Sequence, residues 1–183
     1  MKSLWVENKI DYDGSQLRRM YAYENFGLLG DSIISFVGAC DVRAENMKDG
    51  EDLFQGEKIF SESMLHFLIE CHDTSLESMI AYQRLFTCMA KEQIEVLAGQ
   101  LFQRIGDDLY LADKKLNISI ASANALSSMI HCGFNVSSKN TPVKTVGLED
   151  LGIEAKSFAL SMMQAWTEEY DGIQAAKAKV FPL

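Results

Sequence analysis

Residues 106–136 read GDDLYLADKKLNISIASANALSSMIHCGFNV, and the fold turns on how that stretch is divided. Asp108 to Leu111 and Lys115 to Ser122 flank Ala112-Asp113-Lys114, a short segment with hairpin-turn chemistry. In the second arm Leu116, Ile118 and Ile120 alternate with Lys115, Asn117 and Ser119, the period of a half-buried strand. Residues 128–136 alternate again. There Ile130, Cys132, Phe134 and Val136 take one side, and Met129, His131, Gly133 and Asn135 the other. Strand, turn, strand, connection, strand is therefore the expected course.

The flanks supply the remaining elements. Leu4-Trp5-Val6 reads as a first strand, and Asp11 to Ser15 as a turn. Residues 16–29 carry Leu17, Met20, Tyr21 and Leu28 on one helical face, and residues 32–37 (SIISFV) form a β-branched, aromatic strand candidate. Residues 38–60 are acidic and irregular, so a short helix or a loop excursion is expected there. Residues 64–72 (MLHFLIECH) have strand length. Residues 75–98 show the clearest helical spacing, through Leu76, Met79, Ile80, Gln83, Phe86, Met89, Ala90, Ile94 and Leu97. Thr74 or Ser75 caps that helix and Gly99 ends it. A final amphipathic helix runs over residues 154–170. Strands and helices without a strict βα rhythm predict an α+β fold, a central mixed or antiparallel sheet with packed helices.

At 183 residues, with 48% hydrophobic and 23% charged side chains, the chain reads as a single domain spanning residues 1–183. A net charge of -9 repels nucleic acid and argues against a general nucleic-acid coat. No apolar run is long enough to span a bilayer, so no membrane association is expected. MKSLWVENKIDYDGS lacks the apolar core of a secretory signal, and the four cysteines include no C-x-x-C pair. Free thiols and a cytoplasmic location are the expectation. The methionine-rich final helix serves as core or as the interface of a homodimer.

Lys115, Asn117 and Ser119 beside His131 and Asn135 would gather five polar groups on one sheet surface. Such a lysine can polarise a carbonyl or hold an anion; equally, the face can be a solvated one. His66, Glu70 and His72 share strand parity, and His66 with Glu70 and His131 could serve a metal-dependent hydrolase. The span from His66 to His72, about 20 Å at 3.3 Å per residue, forbids one ion joining both ends, and no metal is expected. More simply, His66 and Glu70 line a pocket. Ser15, Gln16 and Arg18 form either a substrate-holding loop or a helix-capping turn. Cys40 reads as a buried thiol. No nucleotide-loop, Walker, serine-elbow or zinc-helix motif occurs, so no cofactor is named by the sequence.

DLYLADKKLNISIAS followed by IHCGFNV resembles the central hairpin of the biotin/lipoate protein ligase and octanoyl transferase superfamily. The resemblance extends over about residues 80–153. It implies a biotin/lipoate-ligase-like fold, with Lys115 positioning an acyl group and His131 and Asn135 shaping its pocket. Leu151 stands before Gly152-Ile153, where octanoyl transferases carry their nucleophilic cysteine, so a thioester intermediate at that place is excluded. Residues 64–70 contain no glycine where the ligases carry a glycine-rich phosphate segment.

Across nearly its whole length the chain is similar to the domain-of-unknown-function family 366. That similarity rests on DYDGSQL, YENFGLLGDSIISFVGACDV, MLHFLIE, DLYLADKKLNISIAS and TPVKTVGLEDLGI. It implies no established activity. The expectation is a small-molecule site that binds or transfers an acyl or carboxylate group. Lys115 and His131 are the catalytic candidates; Asn135, Asn117, Arg18, Ser15, Gln16, His66 and Glu70 are the binding candidates. A non-catalytic module binding a small molecule or nucleotide is the alternative.

Overall fold

A computed structural model describes residues 1–181. Its centre is a five-stranded mixed sheet built from β1 (Lys2–Trp5), β2 (Ser32–Val42), β3 (Ile59–His72), β7 (Asn117–Ala123) and β8 (Ser127–Asn135). The spatial order is β1-β2-β3-β8-β7. Only β1 and β2 run parallel; the other pairs are antiparallel. A small antiparallel sheet of β4 (Gln103–Ile105), β5 (Asp108–Leu111) and β6 (Lys114–Lys115) sits beside it. The hairpin turn between β5 and β6 puts Ala112 at φ 53°. Among the described residues there are four α-helices: α1 (Tyr21–Phe26), α2 (Gly50–Gln55), α3 (Leu76–Ala98) and α4 (Ala155–Ala178). None is long and apolar enough to cross a membrane, among the described residues.

Alternation along the strands gives the sheet two different faces. Ile33, Leu65, Phe67, Ile69, Ile130, Cys132 and Phe134 point to the face that α3 and α4 cover. There they meet Met79, Phe86, Ala90, Ile94, Phe158, Met162 and Trp166, all buried. Phe67 sits edge-on to Phe86, Phe134 and Phe158 at centroid distances of 5.2, 5.9 and 6.4 Å. Edge-to-face contacts of this kind suit the ring quadrupoles. Ser75 caps α3 by accepting from the Ser78 amide, and Gly99 closes it at φ 63°. Glu154 caps α4, accepting from the Lys156 and Ser157 amides.

The second face carries Ile34, Phe36, Met64, Leu68 and Met129, and the N-terminal segment covers it with Val6, Tyr12, Leu17 and Ala22. This segment leaves β1 and rejoins the edge of β2 further along. The Ile10 amide donates to the Val37 carbonyl, the Tyr12 amide to Ala39, and the Asp41 amide to Tyr12. The Ile10 carbonyl oxygen then lies 1.9 Å from where a Cβ on Gly38 would be, so glycine alone admits the crossing. A bulge in the β2–β3 pairing falls between Gly38 and Cys40.

Two helices change their bounds in the structure, and the short helix expected within residues 38–60 is present. The helix anticipated over residues 16–29 shrinks to α1, because Met20 takes a left-handed φ of 62° just before it. Residues 38–60 finish β2, then form a 3-10 turn (Ala44–Asn46), α2 and the start of β3. The C-terminal helix extends to Ala178. Replacing Gly38 by Ala forces backbone against backbone, so G38A should destabilise the fold by roughly 3 kcal/mol. Denaturant unfolding measures the loss, and an unchanged midpoint would show that the crossing is not tight.

Candidate functional site

Between the second face of the sheet and the excursion that carries α2 lies a cleft of about 740 Å³. Met64, Ile118, Ile120, His131 and Asn135 form its floor, Tyr12 closes one end, and Lys115 stands on the wall. Residues 46–60 and 141–145 make the remaining sides. Asp49 caps α2 by accepting from the Glu51 and Asp52 amides, which fixes the acidic first turn of that helix against the cleft.

Lys115 reaches the cleft because the chain bends at Leu116 between the small sheet and β7. The Lys115 amide donates to the Lys144 carbonyl, and the Val146 amide donates to the Lys115 carbonyl. Held on both sides, the residue sets its Nζ 2.8 Å from Asp108 Oδ2. Asp107 stands close by, paired with Arg84 at 3.0 Å and accepting from Gln83 Nε2 at 2.8 Å. Burial pushes the Asp107 carboxyl up, opposed by Arg84. Burial and the neighbouring Asp49 raise Asp52, while Lys115 acts to lower it. Across the rim Lys144 pairs with Asp113 at 2.7 Å. Around the whole cleft seven carboxylates stand with four lysines, a field that disfavours a polyanion.

The floor holds His131, and behind it lies His66, both buried but only His131 bordering the cleft. His66 and His131 face the same side of neighbouring strands, and the register sets Gly133 directly opposite His66. With no side chain at Gly133, Met64 folds across that position; a Cβ there would meet its Sδ at 2.3 Å. The ring of His131 lies alongside, and its Nε2 stands 3.0 Å from His66 Nδ1. His66 Nε2 is 3.4 Å from the Gly38 carbonyl oxygen. Tyr12 stacks on His131 with centroids 3.7 Å apart and an interplanar angle of 11°, and Phe36 lies 5.0 Å from His66. Burial holds His66 down at about 4 and His131 well below the ordinary imidazole range, with the neighbouring His66 adding to the effect on His131. Both imidazoles are neutral near pH 7.

The sequence-derived candidates separate into three groups. Lys115, His131 and Asn135 meet at the cleft, and His66 lies directly behind His131. Asn117 and Ser119 border the same cleft, but their side chains leave that face, contrary to the expected five-group surface. They pair with Phe134 and Cys132, and so point toward α3. The Asn117 amide accepts from the Leu109 amide and donates to the Asp107 carbonyl, stitching the small sheet to the large one. Ser119 accepts from Gln83 and donates to the His131 carbonyl.

Ser15, Gln16, Arg18 and Glu70 lie outside the cleft wall. Ser15 donates to Asp13, Gln16 bonds the Asp11 carbonyl, and Arg18 pairs with Glu24 over the Tyr21 ring. Glu70 accepts from Ser127 Oγ at 2.8 Å and from the Met20 amide at 3.1 Å, tying the N-terminal segment to β8. His72 is bonded to Asp31, which also accepts from Tyr170 at 2.5 Å. Among the described residues no three His, Cys, Asp or Glu groups converge on a metal position. Tyr12 and the α2 excursion are site parts that the sequence reading passed over. Tyr12 sits inside an Asp-Gly turn signal, and the excursion carries no chemical motif.

Neutral buried histidines make stability depend on acidity. The unfolded chain takes up protons near pH 6.5, whereas His66 in the fold resists until about 4. Stability is therefore full above pH 6.5 and is lost as the pH falls toward about 4. His66 alone accounts for roughly 2 kcal/mol between pH 7 and pH 5. Urea unfolding at the two pH values tests this, and the dependence should be shallower in H66F.

The family model described as Domain of unknown function (DUF366) matches residues 1–181. An uncharacterised protein of Methanocaldococcus jannaschii is 37% identical over 190 residues, covering 100% of this chain and 86% of that protein. The solved structure of a protein of unknown function from Pyrococcus horikoshi superposes with a TM-score of 0.95 at 35% identity, covering 100% and 98% of the two chains. A mutant biotin protein ligase from Aquifex aeolicus in complex with biotin gives a TM-score of 0.62 at 14% identity, covering 93% of this chain and 70% of that one. A T. acidophilum protein assigned as a lipoate protein ligase, with bound lipoic acid, gives 0.56 at 11% identity over 91% and 86%. At these identities the ligases share the fold alone. By sequence and structure together, the chain belongs to the domain-of-unknown-function family DUF366, on the biotin/lipoate protein ligase fold.

Proposed function

We infer that the cleft binds a small molecule through an uncharged acyl carbonyl, and that Lys115 holds the carbonyl oxygen. The carrying observation is the setting of Lys115 Nζ. It is clamped by its backbone on the cleft wall, with one of its three N–H groups engaged by Asp108. The remaining donors suit a carbonyl oxygen. A free carboxylate or a phosphate would meet Asp108, with Asp52 and Asp107 also close to the lysine. Asn135, buried beside the floor, offers a further amide donor and acceptor. Two proteins of the same fold were solved with biotin or lipoic acid, which supports a small acyl compound as the ligand class; the acidic wall here sets its carbonyl apart from their free carboxylates.

The arrangement also suits acyl transfer, since charge developing on the carbonyl oxygen would be held by the lysine. No cysteine lines the cleft among the described residues. Burial also pushes the thiols of Cys40, Cys71 and Cys132 up to about 12. An attacking group would therefore come from an acceptor substrate rather than from a cysteine. That same observation favours a second reading, binding without chemistry. Mass spectrometry of mixtures of acyl thioester and amine separates the two, because only transfer yields the new amide above background.

K115M should weaken binding of neutral acyl amides at least tenfold, about 1.4 kcal/mol, in calorimetry. Free acids of the same chain length should bind more weakly than the amides. Unchanged affinity in K115M would end the reading.

A further inference from the structure

The two buried histidines have a definite arrangement of protons, and it determines what the cleft asks of its ligand. His66 Nε2 faces the Gly38 carbonyl oxygen at 3.4 Å. A carbonyl accepts and cannot donate, so a lone pair on Nε2 would oppose another lone pair. The proton of His66 therefore sits on Nε2. Its Nδ1 is left as an acceptor, facing His131 Nε2 at 3.0 Å. That short approach needs one proton between the two nitrogens, and it must come from His131. With its single proton on Nε2, a neutral His131 keeps a lone pair on Nδ1. His131 lies on the cleft floor, and among the described residues no group bonds its Nδ1. Tyr12 stacked on one side holds the ring in plane.

We propose that His131 Nδ1 is a fixed hydrogen-bond acceptor for the ligand, its tautomer locked by His66 and the Gly38 carbonyl. The chain of bonds ends on an amide carbonyl, which takes up no proton. The pair thus sets direction rather than conducting protons. Burial keeps both rings neutral and supports the assignment. Resting on the carbonyl reading of Lys115, the acceptor narrows the ligand class. The cleft presents a donor at Lys115 and an acceptor at His131, so it fits a neutral compound bearing both a carbonyl oxygen and an N–H or O–H group. Primary and secondary amides and hydroxyacyl compounds meet this demand; esters and tertiary amides meet half of it.

Long-range proton–nitrogen spectra of the 15N-labelled protein at pH 7 provide the test. With three histidines in the chain the ring signals are few. His131 should show a protonated Nε2 and an unprotonated Nδ1, and His66 the same pattern. In H66F the lock is gone, and the Nδ1–H form of His131 should appear. Acetamide titrated into the wild-type protein should move the His131 Nδ1 signal, whereas N,N-dimethylacetamide, with the same carbonyl but no N–H, should leave it in place. A protonated Nδ1 in the free protein overturns the proposal without any variant or ligand. Equal responses to the two amides, or no response to either, also overturn it. Failure of the Lys115 reading is distinguished by K115M, whose unchanged acyl affinity would leave the His131 spectrum of the free protein untouched.

Discussion

Where the N-terminal segment crosses β2, the Ile10 carbonyl occupies the space that any side chain on Gly38 would need. From that contact the segment continues as a short parallel partner of β2 and lowers Tyr12 onto the second face of the sheet. Tyr12 in turn stacks on His131, and the Gly38 carbonyl is left facing His66. A single missing Cβ thus permits both the cover over the histidines and the acceptor that orders their protons. Glu70 fastens the same segment further along, through Met20 on one side and Ser127 on the other.

The relation to biotin and lipoate ligases is one of architecture. The two backbones superpose on more than nine-tenths of the chain, at identities too low to carry more than the fold. The chemistry around the cleft is this chain's own. A lysine neutralised by Asp108, within a ring where carboxylates outnumber lysines, makes a poor seat for a triphosphate or an adenylate. Neutral, hydrogen-bonding compounds meet no such opposition.

Much of the fold was legible because burial writes itself into periodicity. The stretch around Phe67 is an apolar run of strand length, α3 repeats every three to four residues, and the caps at Ser75 and Gly99 mark its ends. The cluster of Lys115, His131 and Asn135 was legible as well. Register was not. The strand break at Leu116 and the pairing of Asn117 with Phe134 turn the side chains of Asn117 and Ser119 away from the cleft, and no single strand records which residue its neighbour sets opposite. Tyr12 was hidden because its contacts lie far away in sequence. Ser15, Gln16 and Arg18 turned out to be engaged with one another's neighbourhood, as turn chemistry alone allows.

Two imidazoles buried beside a tyrosine are each other's side-chain hydrogen-bond partners. Removing either ring leaves its partner's proton or lone pair enclosed without a match, a cost of about 1–3 kcal/mol. Removing both for a pair of apolar rings leaves no such debt. Positions 66 and 131 therefore act as one unit in this fold: the double replacement by apolar rings costs less than the sum of the two single ones, and Gly133 gives the pair its room.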